Sequence, residues 1–86
     1  MERMEFVIKD PDGIHARPAG VLVKRMQAFP CDILIEKGDK EADGKKLFAL
    51  MKMAVKKGDT ITITARGDQA AEAIAAAALV FEETGL

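Results

Sequence analysis

The chain has 86 residues, a length that predicts a single domain over residues 1–86, with one two-layer core. Thirteen basic and fourteen acidic side chains leave a formal charge of −1, and the four aromatic residues are all Phe, which argues against binding to nucleic acid. One cysteine excludes an internal disulfide, and no apolar run is long enough to span a membrane, so we expect a cytoplasmic protein without membrane insertion.

The N-terminal segment predicts a strand and then a tight turn. Met4, Phe6 and Ile8 alternate with Glu5 and Lys9, with Val7 as the exception, and this period of two indicates a half-buried first strand. The tetrapeptide Asp10-Pro11-Asp12-Gly13 has proline in its second place and glycine in its last, which is typical of a β-turn.

A helix is predicted over residues 16–27, with His15 as its N-cap. Pro18 suits the opening turn, because the amide that proline lacks would have no partner there. Phe29-Pro30 ends the helix. The apolar residues at helical spacing, which predict its buried stripe, are Ala19, Leu22, Val23 and Met26.

The next segment predicts a β-hairpin. Cys31, Ile33 and Ile35 alternate with residues that include the charged Asp32 and Glu36, which indicates a second strand. Cys31 is expected to be a small buried apolar residue. The segment Lys37-Gly38-Asp39-Lys40 has glycine at the first central position of a two-residue turn. A short third strand is expected at residues 40–42.

Three further elements are predicted. Residues 47–55 are apolar on nearly every side and indicate a short helix, which Lys56-Lys57-Gly58-Asp59 ends. Residues 60–65 alternate Thr with apolar residues and indicate a strand. Asp68 is expected to be the N-cap of a last helix that closes at Gly85. The residues that share the apolar face of this helix are Ala70, Ile74, Ala77, Ala78 and Phe81.

The predicted order is therefore β-α-β-β-α-β-α, which indicates an α+β fold. The apolar faces of the four strands point one way, so we expect three helices on one face of a mostly antiparallel sheet, with water on the other.

His15 is the only histidine, and it stands where the turn becomes the helix. The first helical turn offers unpaired N–H groups and a dipole that favours negative charge, so the amides of Ala16 and Arg17 are candidates for binding phosphate. The guanidinium of Arg17 would stabilise the same charge. The alternative is that His15 and Arg17 are ordinary surface residues.

The sequence lacks the residues that a hydrolase or a metal site would need. A hydrolase would need a nucleophile with a base, and neither a second histidine nor a Gly-x-Ser-x-Gly segment is present. One histidine and Cys31 do not complete a tetrahedral metal site. We therefore expect no metal and no cofactor.

Several segments closely resemble HPr, the histidine-containing phosphocarrier family of the bacterial phosphotransferase system. They are Gly13-Ile14-His15-Ala16-Arg17-Pro18-Ala19, Lys45-Lys46-Leu47-Phe48-Ala49-Leu50-Met51, Lys57-Gly58 and Ile61-Thr62-Ile63. The resemblance implies an open-faced β-sandwich and a phosphoryl carrier rather than an enzyme that turns over. It implies that Nδ1 of His15 takes a phosphoryl group from Enzyme I, forming pros-phosphohistidine, and passes it to IIA domains for sugar uptake. A related carrier of a nitrogen-regulatory phosphorelay is the alternative.

The resemblance also implies a docking face for these partners, at Gly20, Leu47, Phe48 and Met51. The spacing of the residues alone leaves open whether Leu47, Phe48 and Met51 belong to the core instead. Leu50, Met53 and Val55 are the better core candidates. We expect a monomer.

Two residues depart from the pattern of the family. Lys46 replaces the serine that a kinase phosphorylates in many relatives, so this regulation cannot occur at that position; Asp43 or Gly44 would then take over part of the helix capping. Asp12 stands where the family often has Asn or Ser. It is expected to serve the turn, although a carboxylate near phosphohistidine would repel it.

Overall fold

The computed structural model describes all 86 residues and has the predicted β-α-β-β-α-β-α order. Its strands are β1 (Glu2–Val7), β2 (Asp32–Lys37), β3 (Lys40–Asp43) and β4 (Thr60–Arg66). Its helices are α1 (Ala16–Gln27), α2 (Leu47–Lys52) and α3 (Ala70–Thr84). The α+β class and the bounds of α1 are as predicted.

The four strands form one antiparallel sheet in the order β1-β4-β2-β3. The inner strand β4 pairs with β1 on one side and with β2 on the other, so that Ile63 lies opposite both Met4 and Ile35. Ile61, Ile63 and Ala65 of β4 are fully buried, whereas the Thr residues between them are not. One face of the sheet therefore carries the core and the other is open.

The core is one cluster of 23 buried apolar residues, and no charged or polar side chain is buried. The stripe predicted for α1 is confirmed, because all four of its residues lie in this cluster. Cys31 is buried and free, and Leu50, Met53 and Val55 are buried as expected. None of the three helices combines the length and the apolar character that a membrane span requires.

The prediction that α2 extends to Val55 was wrong, because the helix ends at Lys52. Met53 is its C-cap, and Ala54 has a positive φ of 51°, which reverses the chain. This reversal buries both Met53 and Val55, whose exposed fractions are 3% and 4%. Continuous helix would carry residues 53 and 55 to different sides, since successive residues are 100° apart.

Two other predictions needed correction. The N-cap of α3 is Gln69, with a left-handed φ of 64°, and not Asp68. Phe6 of β1 stacks on Phe81 with ring centroids 4.3 Å apart, and Ile8, the residue after the strand, is buried, but Met4 remains 43% exposed. Met4 lies on an edge strand with a neighbour on one side only, so burial of this strand is incomplete.

Candidate functional site

The loop before α1 is the predicted turn, held against the segment that follows α2. The Asp10 carbonyl accepts the Gly13 amide at 2.9 Å, and the Val55 carbonyl accepts the Ile14 amide at 3.1 Å. Gly13 has a positive φ of 67°, and a Cβ at this position would lie only 2.1 Å from the Val55 oxygen. Glycine is therefore required where the chain enters the site.

His15 is the N-cap of α1, as predicted. Its backbone is extended, with φ −110° and ψ 177°, and its carbonyl accepts the Ala19 amide at 3.0 Å. The side chain makes no capping hydrogen bond and is 41% exposed. The imidazole is therefore accessible to a partner, although it is fixed to the start of a helix.

The first turn of α1 provides positive charge beside this ring. The amides of Ala16 and Arg17 donate to no group of the protein, and Pro18 has no amide. Arg17 is exposed and forms no ion pair, and no acidic residue lies in this turn. Two free N–H groups and a free guanidinium can thus receive an anion next to His15.

Asp10 contacts the imidazole at Nε2. Its Oδ2 lies 3.1 Å from Nε2 of His15, and its Oδ1 accepts the Asp12 amide at 2.9 Å. The hydrogen bond from the Asp12 amide, and then the one from His15, lower the pKa of Asp10 below its ordinary value of 3.8. Asp10 is therefore ionised at neutral pH and can only accept hydrogen bonds.

Asp12 has a smaller part than the sequence suggested. Its amide belongs to the turn, but its exposed carboxylate forms no hydrogen bond, and Asp10 is the acid that contacts His15. The ligand atoms of Asp10, Asp12 and His15 lie within 4.8 Å of one another, so these three side chains are the ones that could hold a cation. The hydrogen bonds of Asp10 already account for its position.

His15 lines a shallow cleft of about 380 Å³ that also includes residues the sequence did not indicate. Two of them are Val21, which is 37% exposed, and Glu83, whose carboxylate accepts a hydrogen bond from Arg25 at 3.3 Å. Val21 could have been noticed, because it is an apolar residue outside the buried stripe of α1. Its position on the helix, four residues after Arg17, puts both on one face.

The residues expected to dock partners lie on two adjacent helices. Near the C-terminal end of α1, the Gln27 side chain donates a hydrogen bond to the Lys45 carbonyl, just before α2, at 2.9 Å. Near the N-terminal end of α1, the Ile14 amide donates to the Val55 carbonyl, just after α2. The helix α2 therefore runs antiparallel to α1. The last turn of α2, which carries Met51, therefore lies toward the His15 end of α1.

The exposure of these residues varies. Phe48 is 81% exposed and Met51 is 37% exposed, whereas Leu47 is half-buried against the core. Gly20 is half-buried, with no atom within 4 Å of the place a Cβ would take. Phe48, Met51 and Gly20 thus offer an uncovered surface, and Leu47 serves the core as well.

Lys46 is the N-cap of α2, and no side chain caps this helix. The Asp43 carboxylate accepts the Lys45 amide at 2.9 Å, one residue before the cap, so it stabilises the turn and not the helix. Gly44 donates its amide to the Ile33 carbonyl, and a Cβ there would lie 2.4 Å from Cγ2 of Ile33. The expectation that Asp43 or Gly44 replaces the missing cap was therefore wrong.

A larger groove of about 540 Å³ lies away from His15, on β2, β3, β4 and the segment around α2. Its charged residues are Asp32, Glu41, Asp43, Lys45 and Arg66. Acids and bases are mixed there, and no histidine or cysteine lines the groove. Size alone does not make it the candidate site, because the only histidine and Arg17 line the smaller cleft.

Fold and site together define a class: small α+β domains that present one accessible histidine at a helix start. The family model of the PTS HPr component phosphorylation site matches residues 3–83. The phosphocarrier protein HPr of Vibrio cholerae is 39% identical over 74 residues, which cover 86% of this chain and 87% of that protein.

Solved structures agree. A histidine-containing phosphocarrier protein from Mycoplasma superposes with a TM-score of 0.97 at 38% identity, covering 99% of this chain and 97% of that one. An HPr dimer from Thermoanaerobacter tengcongensis superposes with a TM-score of 0.77 at 32% identity, covering 98% and 97%. The chain belongs to the HPr family of the phosphotransferase system.

Proposed function

We propose that this protein is a phosphocarrier that accepts a phosphoryl group from Enzyme I on Nδ1 of His15 and passes it to IIA domains during sugar uptake. One observation carries the proposal. The only histidine is partly exposed at the N-cap of α1, beside two unbonded amides and an unpaired arginine. Membership in the HPr family supports the same role.

The chemistry of this site suits transient storage of a phosphoryl group. A neutral imidazole can attack phosphorus and can later leave it. The amides of Ala16 and Arg17 would receive two phosphoryl oxygens, and the Arg17 guanidinium would balance their charge. Since phosphoryl transfer depends mainly on positioning and electrostatic stabilisation, few groups suffice.

Partner docking would complete the site. The cleft at His15 is shallow, so water is excluded only when another protein covers it. The uncovered apolar surface at Phe48 and Met51, with Gly20 on the neighbouring helix, would bind Enzyme I and the IIA domains in turn. Leu47 would support this face from the half-buried side of α2.

Several attributes belong to the same proposal. The protein would act in the cytoplasm, as a monomer and one domain over residues 1–86, without metal or cofactor. Its buried free Cys31 suits a reducing compartment. Light scattering at working concentrations tests the monomer, and a stable dimer would contradict it.

Lys46 implies transport without control by serine phosphorylation. The residue is exposed at the start of α2, where a lysine offers no hydroxyl to a kinase. An HPr kinase with ATP should therefore leave the protein unlabelled. Labelling at another hydroxyl would overturn this part of the proposal.

Reconstitution tests the relay. With phosphoenolpyruvate and Enzyme I, label should appear on this protein and then move to a IIA domain when one is added. The nitrogen-regulatory alternative is tested in the same assay, by replacing Enzyme I with the donor of that branch. Faster loading by the sugar-branch donor is expected; faster loading by the other would reassign the branch.

A further inference from the structure

Asp10 is the only side chain that hydrogen-bonds the His15 ring, and it does so at the nitrogen opposite Nδ1. While Oδ2 contacts Nε2 at 3.1 Å, Oδ1 is held by the Asp12 amide. The Asp10 backbone is also anchored, because its amide donates to the backbone oxygen of Leu86 and its carbonyl accepts the Gly13 amide. The carboxylate is therefore fixed before any partner arrives.

This geometry determines where the proton of a neutral imidazole lies. Such a ring carries one proton, on either Nδ1 or Nε2, and the group bonded at one nitrogen sets the state of the other. An ionised carboxylate accepts hydrogen bonds and cannot donate them. Beside Asp10, Nε2 must therefore be the donor, which leaves the lone pair of His15 on Nδ1.

We infer that Asp10 is a positioning residue for phosphoryl transfer, which holds the His15 proton on Nε2 and so presents Nδ1 as the nucleophile. The inference rests on the proposed phosphocarrier function and adds a residue that acts through the ring. The lowered pKa of Asp10 supports it, since the carboxylate stays ionised at neutral pH.

The retained proton serves both directions of transfer. On loading, a bond forms between Nδ1 and phosphorus while the bond to the donor breaks, and the ring becomes a cation that faces Asp10. On handover, the electron pair of the N–P bond returns to Nδ1 and neutral imidazole leaves. Without a proton on Nε2, the leaving group would be an imidazolate anion, which departs far less readily.

Asp10→Asn is the most informative substitution. Its amide oxygen can still accept the Asp12 amide, which preserves the turn, whereas its NH₂ group can only donate toward Nε2. The opposite orientation would set two donors against each other at Asp12. Asp12→Asn is the matched control, because it removes a nearby carboxylate that does not bond the ring.

The test is ¹⁵N NMR of the imidazole at a pH where the ring is neutral, and the single histidine leaves its two ring nitrogens unambiguous. Wild type and Asp12→Asn should have the proton on Nε2, and Asp10→Asn should shift it toward Nδ1. The initial rate of loading by Enzyme I should then fall roughly three- to tenfold in Asp10→Asn, a modest loss because the pair is partly exposed.

If the ¹⁵N chemical shifts of the ring do not change in Asp10→Asn, Asp10 does not hold the proton on Nε2. If the proton moves to Nδ1 but the rate of loading by Enzyme I does not change, Asp10 is not a positioning residue for transfer. The NMR measurement needs no phosphoryl donor. A wild-type protein that is never loaded would therefore refute the proposed function by itself, while the proton positions would still be read.

Discussion

The Ile14 amide donates to the Val55 carbonyl at 3.1 Å and joins the loop that carries the histidine to the segment that follows α2. This bond ties the loop that carries His15 to the segment next to the proposed docking helix. Gly13 makes the contact possible, because its backbone passes the Val55 oxygen where a side chain would collide.

Gly13→Ala should therefore destabilise the protein markedly. The positive φ alone costs about 1–3 kcal/mol for a residue with a Cβ, and the collision with Val55 adds to it. Gly38→Ala is the matched control, since Gly38 also has a positive φ but has open space around it. Urea denaturation should give a larger loss of unfolding free energy for Gly13→Ala; equal losses would contradict the close contact.

Arg17→Ala should slow loading by Enzyme I by about tenfold, because it removes a charge-assisted contact to the phosphoryl group. Thermal stability should hardly change, since Arg17 is exposed and unpaired. Lys24→Ala removes an exposed cation of the same helix and serves as the control. A rate equal to wild type in Arg17→Ala would remove this residue from the site.

Phe48→Ala should weaken binding to Enzyme I by about tenfold, as expected for an aromatic anchor in an interface. Its unfolding free energy should change by only about 0.5 kcal/mol, because the ring is 81% exposed. Calorimetric titration and denaturation separate the two effects.

Two leucine substitutions, one buried and one exposed, serve as controls for Phe48→Ala. Leu50→Ala in the same helix should cost about 2–5 kcal/mol of stability, because this side chain is fully buried. Leu79→Ala removes an apolar side chain that is 51% exposed on α3, and it should change neither property. Loss of stability without loss of binding in Phe48→Ala would make Phe48 a core residue.

Asp59→Asn should lower stability at neutral pH and have no effect in acid. Hydrogen bonds from the Lys56 amide, at 2.8 Å, and then from Lys37, at 3.2 Å, lower the pKa of Asp59 below 3.8. A lowered pKa in the folded state gives stability that is present above the ordinary pKa and lost as the pH falls through the folded value. The difference between the melting temperatures of the two proteins should shrink progressively as the pH falls below 3.8; a constant difference would contradict the linkage.

Periodicity and turn residues were sufficient for most of the fold. The stripe of α1 and the alternation in β2 and β4 each depend on residues close together in sequence, so their pattern is visible without the structure. The end of α2 was not visible, because Ala54 gives no sign of its left-handed conformation. Met53 and Val55 are apolar whether a helix continues or turns back into the core.

The sequence indicated His15 and Arg17 as candidate site residues, but it did not indicate Asp10. His15 and Arg17 stand out by residue type beside a helix start. The contact of His15 with Asp10 depends on how the turn directs two side chains that are five positions apart, and neither periodicity nor composition encodes it. Asp12, the acid nearer in sequence, was therefore considered in its place.

The intact mass of the protein after incubation with Enzyme I and phosphoenolpyruvate tests the phosphocarrier role most directly. Wild type should gain about 80 Da, the mass of one phosphoryl group, and should lose it in acid as a phosphohistidine does. His15→Ala should fold and gain nothing, since the side chain is partly exposed and makes no cap bond. An unmodified wild type, or a gain that persists in His15→Ala, would contradict the account.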